Sequence, residues 1–234
     1  MEKYNIKLPV SSSITDKKVL TKYVSYFTLG DGCLRVQKSL NRPNKNLNAH
    51  FECCQVKEHE DYILWRADIL SNITSVTVKD REVKIGKTQL KTQTQRHPFF
   101  TAIRNRLYLN NHKVIDPHTL KLLDWEGLAI LYQDDGCLSK KPSGNNCYTL
   151  TISTESFSYG DNVLLQRAIK DKTDILFRIN KTSSNDNIHY RLCLSKYELI
   201  NQFVDGVSKY IKPSFEYKIT FSERLAPEKD DDII

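Results

Sequence analysis

Residues 128–138 read LAILYQDDGCL and residues 26–34 read YFTLGDGCL: each is an apolar run, then aspartate and glycine, then an apolar restart. A near-continuous apolar run closed by Asp-Gly is the pattern of a buried helix that stops at a turn. Ahead of the first copy, Val19, Leu20, Tyr23, Val24 and Phe27 recur at helical spacing behind Asp16, a residue type that caps helix N-termini. Ahead of the second, Asp124 stands in the same relation to the run from Leu128 to Tyr132. Asp31 and Asp135 lie 104 residues apart in a chain of 234, so one copy falls in each half.

The same order of patterns follows each copy, which is stronger evidence of duplication than the repeated tetrapeptide. In the second half, YTLTIS (148–153) alternates as a strand and NVLLQRAIKDK (162–172) reads as a helix. LFRIN (176–180) and IHYRLCLS (188–195) alternate again, and KYELINQFVDGVSKYI (196–211) is an amphipathic helix. In the first half, CLRVQ (33–37) and AHFECCQ (49–55) suggest strands and EDYILWRADIL (60–70) a helix. SVTVKDREVKI (75–85) suggests a hairpin turning near Asp80, TQLKTQTQ (88–95) a strand, and PFFTAIRNRLYL (98–109) a helix with Pro98 in its first turn. Each half reads helix, two strands, helix, two strands, helix. The expected boundaries are 16–113 for the first half, 114–123 for a linker, 124–226 for the second half and 227–234 for an acidic tail.

Length and composition agree with two packed halves of about 100 residues each. Apolar residues make up 39% and only 8 Gly and 7 Pro occur, a balance that excludes a disordered chain. No run approaches the roughly 18 apolar residues of a membrane span, so no membrane partner is expected. MEKYNIKLPVSSS lacks the apolar core of a secretory signal, which predicts an intracellular, non-secreted protein. The six cysteines form no C-x-x-C pair, so neither a zinc site nor a disulfide framework is expected; they read as small buried residues. The formal charge is +7, and since the tail segment EKDDD carries −3, the remainder carries about +10. Such a surplus suits a polyanionic partner.

The outward strand positions sharpen that expectation. Arg35 and Gln37 share one face of their strand; Gln89, Lys91, Gln93 and Gln95 share another; Arg178 with Asn180, and His189 with Arg191, do so in the second half. Long Arg, Lys, Gln and Asn side chains on a β-ribbon are the types that reach base edges in a major groove.

The aspartates fall where helices end, and a carboxylate at that negative end of the helix dipole is unfavourable by a few tenths to about 1 kcal/mol. A divalent cation reverses the local electrostatics, whereas an ordinary Asp-Gly turn needs none. The lysines add weight: Lys113 lies 82 residues after Asp31 and Lys218 lies 83 after Asp135. An acid for metal and a lysine for phosphate charge are parts of a phosphodiester hydrolase, and two sets match the pseudo-symmetry of duplex DNA.

At these residues the sequence resembles the LAGLIDADG homing endonucleases, of the single-chain, double-motif, intron-encoded type. LAILYQDDG carries the closer match. VSYFTLGDG (24–32) has Leu29 where the family has an inner acid and Tyr26 where it has a small residue, with Ser25 and Ala129 as candidates for the close helix contact. The resemblance implies an α+β fold of two pseudo-symmetric αββαββα halves, whose antiparallel sheets form a DNA-binding saddle. It also implies two motif helices packed side by side, and two or three Mg2+ ions at their interface held by Asp31, Asp135 and the backbone carbonyls of Gly30 and Asp134. Lys113 and Lys218 would support phosphate charge, and His112 would be a surface linker residue. The implied activity is site-specific double-strand cleavage leaving short 3′ overhangs, by a monomer on a long asymmetric target. An RNA-binding maturase acting on intron RNA, or an inactive DNA-binding regulator, remain alternatives on the same fold.

Overall fold

The structure is a computed structural model that describes residues 4–37, 47–81, 88–140, 147–184 and 187–221; the expected acidic tail at 227–234 lies outside them. Helix α1 (Lys17–Leu29) starts where Asp16 accepts the amides of Lys18 and Val19. Such an N-cap contributes about 1 kcal/mol. Its inward stripe, Leu20, Val24 and Phe27, lies against the core.

One sheet has the order β1-β4-β5-β3-β2, formed by β1 (Asn5–Leu8), β2 (Cys33–Arg35), β3 (His50–Val56), β4 (Val76–Arg81) and β5 (Gln89–Thr94), with every neighbouring pair antiparallel. Helix α2 (Glu60–Ser71) connects β3 to β4, and α3 (Pro98–Leu107) follows β5. Two details depart from the sequence expectation. Asp80 is not in a turn: β4 runs through it, pairing Asp80 with Leu90 and Arg81 with Gln89. The Tyr4 amide donates to the Asp80 carboxylate at 2.6 Å, and this extra pairing keeps the segment extended. β1 itself lies before residue 16, so the first sheet gains a fifth strand.

After a two-residue hairpin of β6 (Tyr108–Leu109) and β7 (His112–Lys113), and the short helix α4 (Pro117–Leu120), comes α5 (Trp125–Asp135), capped by Asp124 through the Gly127 amide. The second sheet has the order β10-β11-β9-β8, from β8 (Gly136–Lys140), β9 (Tyr148–Ile152), β10 (Arg178–Ser184) and β11 (Asn187–Leu194). Helices α6 (Tyr159–Thr173) and α7 (Tyr197–Ser208) complete the αββαββα order, and a 3-10 segment, Pro213–Lys218, follows. The fold is α+β with antiparallel sheets.

Helices α1 and α5 lie side by side and run in the same direction. Lys22 near the start of α1 reaches Asp124 and Glu126 at the start of α5, at 2.8 and 2.7 Å, while Asp31 and Asp134 meet at the other end. The close approach is made by Tyr26 and Gly127: a Cβ at Gly127 would lie 2.9 Å from the Tyr26 ring. Tyr26 is fully buried and its hydroxyl donates to the Thr119 carbonyl at 3.1 Å, so the bulky residue is matched by a missing side chain on α5. Ser25 and Ala129 are buried as well. Of the cysteines, Cys53 and Cys193 are buried, but Cys137 and Cys147 are exposed, contrary to the expectation for all six.

Candidate active site

At the paired helix ends, α1 stops at Leu29 and Gly30, while α5 continues through Asp135. Glycine is required at position 30 because a Cβ there would fall 2.3 Å from Asp134 Oδ2. The close approach lets Asp134 Oδ2 accept the Asp31 backbone N–H at 3.1 Å. Asp31 itself is exposed at the surface, whereas the Asp134 side chain is wholly buried.

Burial and the neighbouring carboxylates raise the proton affinity of Asp134 and Asp135. Burial, then the charges of Asp134 and Asp31, push the Asp135 carboxyl up to about 7 against the pull of Lys113 and Lys218. Burial, opposed by Arg66 and aided by Asp31, pushes Asp134 up to about 6. The lysines converge on the same spot. Lys113 Nζ donates to the Gly30 carbonyl and Lys218 Nζ to the Gln133 carbonyl, each at 2.7 Å. Cations on the last carbonyls of the two motif helices sit at the favourable end of each helix dipole. Burial lowers the pKa of both lysines, with the neighbouring aspartates opposing.

The lysines arrive by different routes, although their sequence offsets match. Lys113 stands on the β6–β7 hairpin, whose loop residues Asn110 and Asn111 have φ of 50° and 66°, the left-handed pair that a two-residue hairpin favours. Lys218 stands on the 3-10 segment, anchored by the Tyr132 hydroxyl on its carbonyl at 2.7 Å and by the Ser214 amide on Asp61 of α2 at 3.1 Å. His112, beside Lys113, is exposed.

Sequence reading passed over Gln55 and Arg66. Gln55 Nε2 donates to Asp31 at 2.9 Å and Asp134 at 3.1 Å, and Arg66 Nη2 donates to Gln55 Oε1 at 2.5 Å. Both left a signal. Gln55 follows Phe51 and Cys53 on the inward register of β3, and Arg66 follows Tyr62 and Ile63 on the apolar face of α2; polar residues at buried positions need partners. Among the described residues, no group of three His, Cys, Asp or Glu side chains is already arranged around a metal position. Asp31 and Asp135 are two carboxylates whose repulsion a cation relieves. Oxygen donors of this kind, completed by water or phosphate, suit Mg2+. The Gly30 carbonyl is engaged by Lys113, and the Asp134 carboxylate turns inward to Gln55 and Arg66.

On the first sheet, register places Arg35, Gln89, Lys91 and Gln93 on one face together with Glu52, Thr77, Lys79 and Arg81, which the sequence reading did not select. Glu52 pairs with Arg35 and with Lys91, the latter at 2.9 Å. Next to this face lies a hollow of 550 Å3, bordered by Asp31, Arg35, Glu52, Arg81, Lys91 and Gln93. Gln37 and Gln95 follow their strands, and Gln37 accepts a hydrogen bond from Arg96. On the second sheet, Arg178, Asn180, His189 and Arg191 share one face through the pairings Asn180 with Arg191, Thr182 with His189 and Arg178 with Cys193. Arg191 pairs with Glu155 at 3.3 Å, and His189 Nδ1 lies 3.2 Å from the Glu155 carbonyl.

Comparison with known proteins agrees with this architecture. An uncharacterized protein of Methanocaldococcus jannaschii, MJ1098, is 30% identical over 174 residues, 74% of this chain and 56% of its own; the chain thus spans about half the length of that relative. DNA endonuclease I-ChuI of Chlamydomonas applanata is 23% identical over 207 residues, covering 82% of this chain and 90% of its own. The homing endonuclease I-WcaI, solved bound to its DNA recognition sequence, matches the fold with a TM-score of 0.69 over 88% of each chain at 18% identity. The sequence model of the LAGLIDADG DNA endonuclease family matches residues 27–201, and with this match across most of both helix-and-sheet repeats the chain belongs to that family.

Proposed function

We propose that the protein is a site-specific double-strand DNA endonuclease that hydrolyses phosphodiester bonds with Mg2+, acting as a monomer on a long asymmetric target and leaving short 3′ overhangs. The observation that carries this reading is the convergence of Asp31 and Asp135 at adjacent helix ends with a lysine anchored on each helix, between two sheets that present basic and amide side chains. Asp31 and Asp135 hold the metal in this reading. The carbonyls of Gly30 and Asp134 are left out of the ligand set, because the first is engaged by Lys113 and nothing in the geometry assigns the second. When bound, a divalent cation supplies Lewis acidity toward the phosphate and the attacking water.

The chain's own groups do the rest. Lys113 and Lys218, fixed on backbone carbonyls, present ammonium charge where negative charge builds on the phosphate oxygens, with little reorganisation. Gln55 holds the Asp31 carboxylate in one orientation. Arg35, Lys79, Arg81 and Lys91 in the first sheet, and Arg178 and Arg191 in the second, contact backbone and bases, with Gln37, Gln89, Gln93, Gln95, Asn180 and His189 as further base readers. Two unlike faces require an asymmetric target. The presence of both acids and both lysines favours an active nuclease over an inactive regulator.

Incubation of the pure protein with Mg2+ and duplex DNA spanning the insertion site of its own gene tests the reading. The expected product is one double-strand break with short 3′ overhangs. Tight binding without cleavage in Mg2+ or Mn2+ overturns it. Asp31→Asn and Asp135→Asn are each expected to abolish double-strand cleavage while binding persists; loss of binding in both makes the carboxylates structural.

A further inference from the structure

The two helix ends differ in what lies beneath them. On the Asp31 side, Arg66 is 1% exposed, donates to Cys53 Sγ at 2.8 Å and Gln55 Oε1 at 2.5 Å, and faces Asp134 Oδ1 at 3.5 Å. An amide accepts at one end and donates at the other, so a guanidinium on Oε1 dictates which way Gln55 points. Its NH2 group therefore faces Asp31 and Asp134. Asp134 completes the tie by accepting the Asp31 main-chain N–H. Side chain and backbone of Asp31 are thus both held by a cluster that α5 shares with α2 and β3.

Register identifies the corresponding place on the Asp135 side. Cys33 pairs with Glu52 and Cys137 with Thr151, each cysteine standing two residues after its aspartate, so the counterpart of Gln55 is Thr154. Thr154 turns inward: its hydroxyl meets Asn162 Oδ1 of α6 at 2.5 Å and the Tyr190 carbonyl at 3.3 Å. Where one side has Gln55 and a buried cation, the other has a neutral Thr-Asn pair. Among the described residues the Asp135 carboxylate receives no hydrogen bond.

We infer that Arg66 and Asp134 are positioning residues for one cleavage centre only, holding Gln55 and Asp31 in place, so that the two DNA strands are cut by unequally organised centres. The inference rests on the endonuclease reading for its strand assignment, but not for its geometry.

Duplex target labelled separately on each strand reads the rates. Asp134→Asn, isosteric with the wild type, and Arg66→Met are each expected to slow one strand by up to about 100-fold, the scale of an ångström's misplacement, with the other little changed, so that nicked DNA accumulates. Equal slowing of both strands, or of neither, overturns the inference. The double variant Arg66→Met/Asp134→Leu separates positioning from mere stability, because removing both buried charges restores much of the melting temperature. Its strand bias is expected to persist, since Gln55 still lacks the guanidinium; return of both rates to wild type assigns the pair a structural role only. Amide hydrogen exchange in folded Arg66→Met needs no cleavage. Faster exchange at Asp31 with Asp135 unchanged supports the inference, and unchanged exchange at Asp31 overturns it. Should the wild-type protein cut neither strand, the nuclease reading falls, while the exchange measurement still decides the positioning claim.

Discussion

Asp134 and Asp135 are adjacent in the chain and placed in opposite ways. Asp134 is directed into the protein toward Arg66 and Gln55, whereas Asp135 faces Lys113 and Lys218 without a hydrogen bond to its carboxylate among the described residues. A carboxyl held at about 7 when folded, against 3.8 for a free aspartate side chain, binds its proton more tightly in the folded state. The stabilisation is present in full below about pH 4 and is lost as pH rises through about 7. Asp135→Asn carries no charge at any pH, so in metal-free buffer its stability is expected to rise relative to wild type between pH 4 and 7, by at most about 1.4 kcal/mol per pH unit. Thermal melts across that range check this; a constant gap refutes the shift. Since a cation displaces the same proton, apparent Mg2+ affinity is expected to strengthen as pH rises toward 8. At this scale Asp31, Asp135, Lys113 and Lys218 were legible in the sequence, because acids at helix ends and matched offsets are local or countable features. Gln55 and Arg66 were not selected, because one residue on a strand and one on a helix become partners only after packing.

Helices α1 and α5 show what periodicity can and cannot report. Their caps at Asp16 and Asp124 and their stops at Asp-Gly follow from local chemistry. Their contact does not: Tyr26 fits against α5 because Gly127, four residues before Leu131 and outside the apolar run, carries no side chain. Gly127→Val is expected to destabilise the protein by about 1–3 kcal/mol through overpacking against the buried tyrosine ring. Chemical denaturation measures it, and a neutral result would show that the helices can part. The hairpin expected near Asp80 failed for a related reason. An Asp in an alternating run reads as a turn, but here β1 supplies main-chain partners that keep it in a strand.

For the whole molecule, charge is the property most visible in composition and least resolved by it. The +7 total suits a polyanionic partner, but the sheets decide where the cations stand. Register brings Lys79 and Arg81 of β4 beside Lys91 and Gln89 of β5, forming one basic face from strands whose pairing the sequence did not reveal. If Lys79 contacts phosphate, Lys79→Ala is expected to weaken DNA binding across sequences and lower the slope of log affinity against log salt by about 0.9. Titrations at several salt concentrations measure the slope, and an unchanged slope places Lys79 outside the interface.

The sequence by itself determined the duplicated order of helices and strands, the two helix-terminal acids, the two lysines and the outward faces of most strands, because caps, periodicity and spacing are written along the chain. Only the tertiary structure decided what lies beneath each of the two acids. Gln55, Arg66 and Asp134 form a charged cluster beneath Asp31, while Thr154 and Asn162 form a neutral one in the corresponding place. Partners drawn from three elements far apart in sequence carry no common period. Their meeting depends on how α5 packs against the first sheet and its helices.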